Sequence, residues 1–111
     1  MNVDKLTKTI NEISEAAYTN VVNRGLIASG RHRFALIDLQ LEAIECEINE
    51  VRQEIFSDVD MDSAFIEAKA YQEEVADVFI AACTLLRVAG VDAKIVLDKM
   101  KYNKTREQRR F

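Results

Sequence analysis

Proline is absent from this chain of 111 residues, and glycine occurs only at Gly25, Gly30 and Gly90. These two residue types most often end helices and form the tight turns of β-hairpins. A chain with so few of them has few places to turn, so we expect long helices joined by a small number of loops. Gly25 and Gly30 would then lie in one loop, and Gly90 would end a long apolar helix.

Apolar residues recur every three or four positions along the chain, which is the pattern of helices that bury one face. We predict three long helices and a shorter fourth one, over residues 4–23, 34–56, 63–89 and 92–100. The strictest stripe belongs to the second helix and comprises Ile37, Leu41, Ile44, Ile48, Val51 and Ile55. The candidate capping residues are Asn2 or Asp4, Asp62 or Ser63, and Asp92. The sequence therefore predicts a single all-α domain over residues 1–111, a four-helix bundle.

Composition excludes several classes of protein. Hydrophobic residues make up 49% of the chain and charged residues 31%, which is unlike disordered or fibrous sequences. The longest apolar run, Val78–Cys83, is far too short to cross a membrane, and no secretion leader precedes the first helix. The net charge of −4 argues against general nucleic-acid binding. We expect a soluble cytoplasmic protein that binds neither membranes nor nucleic acid.

The third helix contains an acidic residue within an apolar stretch. Twelve of the fifteen residues from Val75 to Ala89 are apolar, and Asp77 is their only carboxylate. Apolar residues on every side predict that other helices enclose this one. A carboxylate in such a helix is costly unless it meets a cation or a donor. Glu74 lies on the same face, so this pair marks either half of a metal site or a helix edge in solvent.

The second helix carries two acid pairs with the same spacing of three residues. Glu42 and Glu45 lie on one flank of its apolar stripe, and Glu47 and Glu50 lie at mirror-image angles on the other. Periodicity alone does not choose between them. Two such pairs on packed helices would repel one another unless divalent cations joined them, and hard carboxylate oxygens suit Mg²⁺ or Mn²⁺.

Three features in order resemble the all-α nucleoside triphosphate pyrophosphatases of the MazG-like type, including the dCTP pyrophosphatases. They are the Glu-x-x-Asp of Glu74 and Asp77, the turn Gly90-Val91-Asp92, and the Lys-Met-x-x-Asn-x-x-Arg of Lys99, Met100, Asn103 and Arg106. The resemblance implies a MazG-like helical bundle. It also implies hydrolysis of a nucleoside or deoxynucleoside triphosphate to the monophosphate and pyrophosphate, a reaction that can cleanse nucleotide pools.

The resemblance also implies roles for particular residues. The interval from Arg24-Gly25-Leu26 to the second helix favours Glu42 and Glu45 as partners of Glu74 and Asp77, with Glu47 and Glu50 as the other register. The chosen four acids would hold Mg²⁺, with Mn²⁺ as an alternative ion. Glu73 would assist in the outer shell or accept the proton of the attacking water. The residues that would contact the phosphates are Lys99, Asn103 and Arg106.

The apolar excess of the third helix exceeds what three neighbours in a small bundle need. We therefore expect self-association through the core helices, most simply a twofold dimer and otherwise a homotetramer. A second hypothesis from another class fits the same features: a non-catalytic helical dimer that binds a nucleotide or a protein. Binding of Mg²⁺ or Mn²⁺ distinguishes the enzyme from the binding module.

Overall fold

The computed structural model describes residues 2–25, 32–56 and 68–105, and the regular structure in these ranges is entirely helical. The helices are α1 (Val3–Asn23), α2 (Arg33–Phe56), α3 (Ala68–Ala89) and α4 (Ala93–Thr105). The prediction of four helices and no strands is confirmed for the described residues, and α4 is longer than predicted. The predicted start of the third helix at residue 63 and its cap lie outside the described ranges. None of the described helices is long and apolar enough to span a membrane.

Side-chain caps begin two of the helices. The side chain of Asn2 accepts a hydrogen bond from the backbone N–H of Lys5 (3.1 Å), as predicted for the start of α1. At the start of α4, the Asp92 carboxylate accepts from Lys94 N–H (2.7 Å). Each cap satisfies a backbone donor that has no partner inside its own helix. These local interactions fix where the two helices begin.

A tight turn separates α3 from α4. Gly90 has a φ of 71°, which side chains strongly disfavour, and it is the residue at which α3 stops. The N–H of Val91 returns to Leu86 O at 2.9 Å and closes the turn. Beyond it, the N–H of Ala93 donates to Asn11 Oδ1 at 3.0 Å, which joins the start of α4 to α1. The turn therefore sets α4 against α1.

Helix α3 is the centre of the packing: α1 and α2 both lie against it, and α4 packs mainly on α1. Helix α2 is antiparallel to α3, because Gln40 near its start contacts Ala81 while Glu47 further along lies near Glu74. Helix α1 is also antiparallel to α3. Glu15 pairs with Arg87, and the later part of α1 lies beside Asp77 and Ile80.

Few large side chains are buried among the residues that the structure describes. The buried apolar residues are Ala17, Ala81, Cys83, Val88, Ala93 and Leu97, and the buried polar residues are Ser14, Gln40 and Thr84. The expectation that other helices enclose α3 on every side is wrong for one chain, since Val75 and Phe79 are 43% and 57% exposed. Asp77 is likewise exposed, not buried. Among the described elements, α1 and α2 cover the helix and leave its remaining face open.

The apolar stripe of α2 also lies largely outside the core. Leu41 and Ile55 are exposed, and the other four members are only half-buried. Helix α2 turns a different line of residues, which includes Gln40 and Glu47, towards α3. On a helical wheel this line lies about 70° from the apolar stripe. The packing of α2 thus follows a polar line and leaves an apolar surface open.

Candidate metal centre and adjoining cavity

Carboxylates from two helices meet between α2 and α3. Glu47 and Glu50 on α2 and Glu74 on α3 each place one carboxylate oxygen within 4.8 Å of the others. Asp77 lies one turn after Glu74 on the same face of α3. Three carboxylates therefore meet between the two antiparallel helices, and Asp77 lies close enough for its charge to act on Glu47. We refer to Glu47, Glu50, Glu74 and Asp77 as the acidic cluster.

Burial and mutual repulsion raise the pKa values of two members of the acidic cluster, Glu47 and Glu74. Burial, a hydrogen bond with Glu50, and the negative charges of Glu50, Asp77 and Glu74 raise the pKa of Glu47 to about 7. Burial is also the largest cause of the raised pKa of Glu74, followed by a hydrogen bond with Glu50 and the charges of Glu50, Asp77 and Glu54. The pKa of each of these two carboxyl groups therefore lies above that of an ordinary glutamate.

Two oxygens of the acidic cluster are buried without a partner. They are Oε2 of Glu47 and Oε2 of Glu74, both within the half-buried side chains that face the interface. A buried carboxylate oxygen with no donor is unfavourable, because it has lost its hydration without gaining a hydrogen bond. A proton or a cation removes that cost. The donor set, which consists of carboxylate oxygens from two facing helices, fits a hard divalent cation such as Mg²⁺ or Mn²⁺.

The structure selects the second of the two predicted registers on α2. It brings Glu47 and Glu50, not Glu42 and Glu45, to Glu74. Glu42 and Glu45 are both exposed. The structure therefore places Glu47 and Glu50, rather than Glu42 and Glu45, beside Glu74, and which pair holds a metal ion stays a prediction.

A buried hydrogen bond accounts for this register. The Gln40 amide donates from Nε2 to the backbone oxygen of Ala81 at 2.9 Å, which fixes the rotation of α2 on α3. Glu47 follows Gln40 by seven residues and so returns to nearly the same face. Glu42 and Glu45 leave the helix about 140° or more from Gln40 and point away from α3. In the sequence, Gln40 is the signal that distinguishes the two flanks of the apolar stripe on α2, which are otherwise symmetric.

The remaining predicted site residues have different positions. Glu73 is exposed and leaves α3 about 100° from Glu74. Lys99 and Asn103 lie on the exposed surface of α4, which packs against α1, whereas the acidic cluster lies between α2 and α3. The Lys99 ammonium lies 4.9 Å from the ring centroid of Tyr102. Arg106 lies outside the described residues.

A cavity of about 400 Å³ adjoins the acidic cluster and shares Glu47 and Asp77 with it. Three helices contribute its other lining residues: Asn20, Val21 and Arg24 from α1, Leu36, Leu39, Gln40 and Ala43 from α2, and Ile80, Ala81 and Thr84 from α3. Half of the lining residues are aliphatic. Sequence reasoning did not find this cavity, because its lining comes from the ends and middles of three separate helices.

Hydrogen bonds hold two of the polar side chains in the cavity wall, those of Gln40 and Thr84, in position. Gln40 is 8% exposed and is tied to Ala81 O, and the fully buried Thr84 donates its hydroxyl to Ile80 O at 3.1 Å. From the helix directions, Leu36 and Thr84 line one end of the cavity and Glu47 and Asp77 line the other. The cavity therefore has an aliphatic end and a carboxylate end.

The chain shows no match to the known protein families, to curated proteins or to solved structures with which it was compared. A function for this chain therefore rests on the acidic cluster, on the cavity beside it, and on the sequence motifs described above.

Proposed function

We propose that this protein is a Mg²⁺-dependent nucleoside triphosphate pyrophosphohydrolase, which converts a nucleoside or deoxynucleoside triphosphate and water to the monophosphate and pyrophosphate. The observation that carries the proposal is the meeting of three carboxylates, those of Glu47, Glu50 and Glu74. Two of their oxygens are buried without a partner, and Asp77 joins them to a cavity of nucleoside size. The resemblance to MazG-like pyrophosphatases supports the same reaction.

In this proposal Glu47, Glu50, Glu74 and Asp77 hold the metal ion, with Mn²⁺ as the alternative to Mg²⁺. Such an ion, when bound, polarises phosphoryl oxygens and lowers the pKa of a bound water. The raised pKa values of Glu47 and Glu74 fit this role, because a site that retains protons without a cation will release them when one binds.

The cleavage itself requires attack of water on the α-phosphorus. The new bond joins the water oxygen to phosphorus, and the bond between the α-phosphorus and the bridging oxygen breaks. Pyrophosphate leaves with that electron pair. Glu73 is the proposed acceptor of the water proton, since it is exposed next to Glu74 and its carboxylate is outside the proposed ligand set.

The cavity would take the nucleoside part of the substrate. Its aliphatic end suits a planar base, and its carboxylate end would place the phosphates beside the acidic cluster. Lys99, Asn103 and Arg106 retain their proposed role at the phosphates. Helix α4 packs on α1, whereas the acidic cluster lies between α2 and α3. The role at the phosphates therefore requires that α4 of the same chain, or of a second copy, carries these three residues to the acidic cluster.

We also propose that the protein is a homodimer, or a homotetramer built from such dimers, through the open face of α2 and α3. This face combines the stripe of α2 with the exposed side chains of α3, and its most exposed members are Leu41, Ile55, Tyr71, Val75 and Phe79. Exposed apolar surface of this extent marks an interaction site. The twofold arrangement would pair helices across the axis.

The test is to incubate the purified protein with a panel of nucleoside and deoxynucleoside triphosphates and Mg²⁺, and to measure pyrophosphate release. We expect release with the wild type and loss of at least 100-fold in rate in Glu74→Gln, with chelator as a further control. Absence of pyrophosphate release across the panel would refute the catalytic proposal. Metal binding or nucleotide binding without release would instead favour the non-catalytic binding module.

A further inference from the structure

Arg24 lies where α1 ends, at the carboxylate end of the cavity. It is the residue that follows the last residue of α1, and its backbone N–H donates to Asn20 O at 3.1 Å. Arg24 lines the cavity together with Glu47 and Asp77. The helix directions give the same position. Starting from the Glu15–Arg87 pair, Arg24 lies nine residues further along α1, which is about 14 Å. Asp77 lies ten residues back along α3, which is about 15 Å.

The guanidinium of Arg24 is not used in an ion pair within the described part of the chain. The ion pair found there joins Glu15 and Arg87. Arg24 is exposed and shares a cavity wall with two acids, yet it forms no salt bridge with either of them. A guanidinium that lies near carboxylates without forming an ion pair with them remains available to bind an anionic ligand.

We propose that Arg24 binds the phosphate chain of the ligand whose nucleoside part lies in the cavity. This inference deepens the proposed function and rests on it in taking the ligand to be a nucleotide. A polyphosphate approaching Glu47 and Asp77 would be repelled unless cations lie on both sides of it. The acidic cluster can hold a metal ion on one side, and Arg24 supplies a positive charge from α1 on the other.

The chemistry of arginine suits this position. Its planar guanidinium offers five donors and binds phosphate oxygens in pairs, which lysine does not do. Val21 lies one helical turn before Arg24 and lines the aliphatic part of the same cavity. One face of α1 thus presents an apolar contact for a base and a forked cation for phosphates. The ligand class is an organic polyphosphate, specifically a nucleotide with two or more phosphates.

A purely structural role for Arg24 makes a different prediction. A positive charge near the C-terminus of α1 offsets the helix dipole, and it also lowers the repulsion within the acidic cluster. In that case lysine would replace arginine fully. Removing the charge in Arg24→Gln would then change the affinity for Mg²⁺ alone as much as the affinity for a phosphate ligand.

The experiment compares wild type with Arg24→Gln, Arg24→Lys and the control Arg52→Gln by isothermal titration calorimetry. Arg52 is an exposed arginine on α2 that does not line the cavity. The probe is inorganic triphosphate in excess Mg²⁺, and Mg²⁺ alone is titrated separately. We expect Arg24→Gln to weaken triphosphate binding about 10- to 100-fold, as for loss of a charge-assisted hydrogen-bonded pair. Arg24→Lys should bind with intermediate affinity, and the control should stay within about twofold.

The inference would be overturned by unchanged triphosphate affinity in Arg24→Gln, by full rescue by lysine, or by a wild type that does not bind triphosphate. An equal loss of affinity for Mg²⁺ alone would also overturn it. Thermal unfolding checks that each variant is folded, and Arg24→Lys serves alone if Arg24→Gln does not fold. Because the probe needs no turnover, Arg24-dependent binding without pyrophosphate release from any nucleotide would uphold this inference while refuting the proposed activity.

Discussion

Replacing Glu47 by glutamine should make the metal-free protein more stable at pH 8. The pKa of Glu47 is raised from 4.5 to about 7, so the folded state holds its proton more tightly than the unfolded state does. Between these two pH values the folded state binds more protons, and the free energy of unfolding therefore falls as pH rises. The loss is complete above pH 7. Glutamine does not titrate and keeps nearly the same shape, so the variant escapes this loss.

The size of the effect follows from the shift. A rise of this size corresponds to about 3 kcal/mol if it is fully expressed as stability. Glu47 retains some contact with solvent, which screens the repulsion, so we expect about 1–2 kcal/mol. For a domain of this length that is a rise of about 5–10 °C in the melting temperature. At pH 4.5 the wild type is protonated at Glu47, and the difference should nearly vanish.

The assay is urea unfolding followed by circular dichroism at pH 4.5 and pH 8, with EDTA or with Mg²⁺. Mg²⁺ should stabilise the wild type at pH 8, by about 2.7 kcal/mol when its concentration is 100 times Kd. Glu47→Gln should lose most of that response. Glu42→Gln, on the exposed flank of α2, should behave as wild type in both buffers.

Two results would refute this reasoning. One is a metal-free Glu47→Gln protein that is less stable than wild type at pH 8. The other is a loss of the Mg²⁺ response in Glu42→Gln and not in Glu47→Gln, which would return the site to the first register.

Further predictions concern packing. Phe79→Glu places a charge on the open face of α3 and should shift the protein towards monomer in sedimentation velocity; an unchanged mass would contradict the proposed interface. Gln40→Leu removes the buried hydrogen bond to Ala81 O and should lower the free energy of unfolding by about 1 kcal/mol, measured in urea. Gly90→Ala should lower it by about 1 kcal/mol because of the positive φ alone, since the nearest atom to the added methyl, Arg33 Nη1, lies at an ordinary 3.5 Å. A larger loss would show that the side chain of Arg33 cannot accommodate the added methyl group.

Local chemistry made the helices predictable from the sequence. Apolar periodicity placed α1, α2 and the end of α3, and the capping groups of Asn2 and Asp92 act as expected. Gly90 ends α3 because few other residues adopt its φ. The extra turn of α4 beyond Met100 was missed, since polar residues in a final helical turn carry no apolar signal.

Burial could not be predicted in the same way, because it depends on how many neighbours surround a helix. The apolar residues of Val75 to Ala89 indicated an enclosed helix, but within the described residues the helices that pack extensively on α3 are α1 and α2. Phe79 and Val75 are consequently exposed. The apolar stripe of α2 did not predict the buried face of that helix, for a related reason. Its members are the most apolar line of the helix, yet α2 packs on α3 through Gln40 and Glu47.

The sequence by itself determined that the chain is helical and that Glu74 and Asp77 form one acid pair on one helix face. It also placed two possible partner pairs on α2, at mirror-image angles about an apolar stripe, which no periodicity can rank. Only the tertiary structure decided between them, because the rotation of α2 is set by a contact with another helix. The bond from Gln40 to Ala81 O, between residues 41 positions apart, turns Glu47 and Glu50 to Glu74 and leaves Glu42 and Glu45 in solvent.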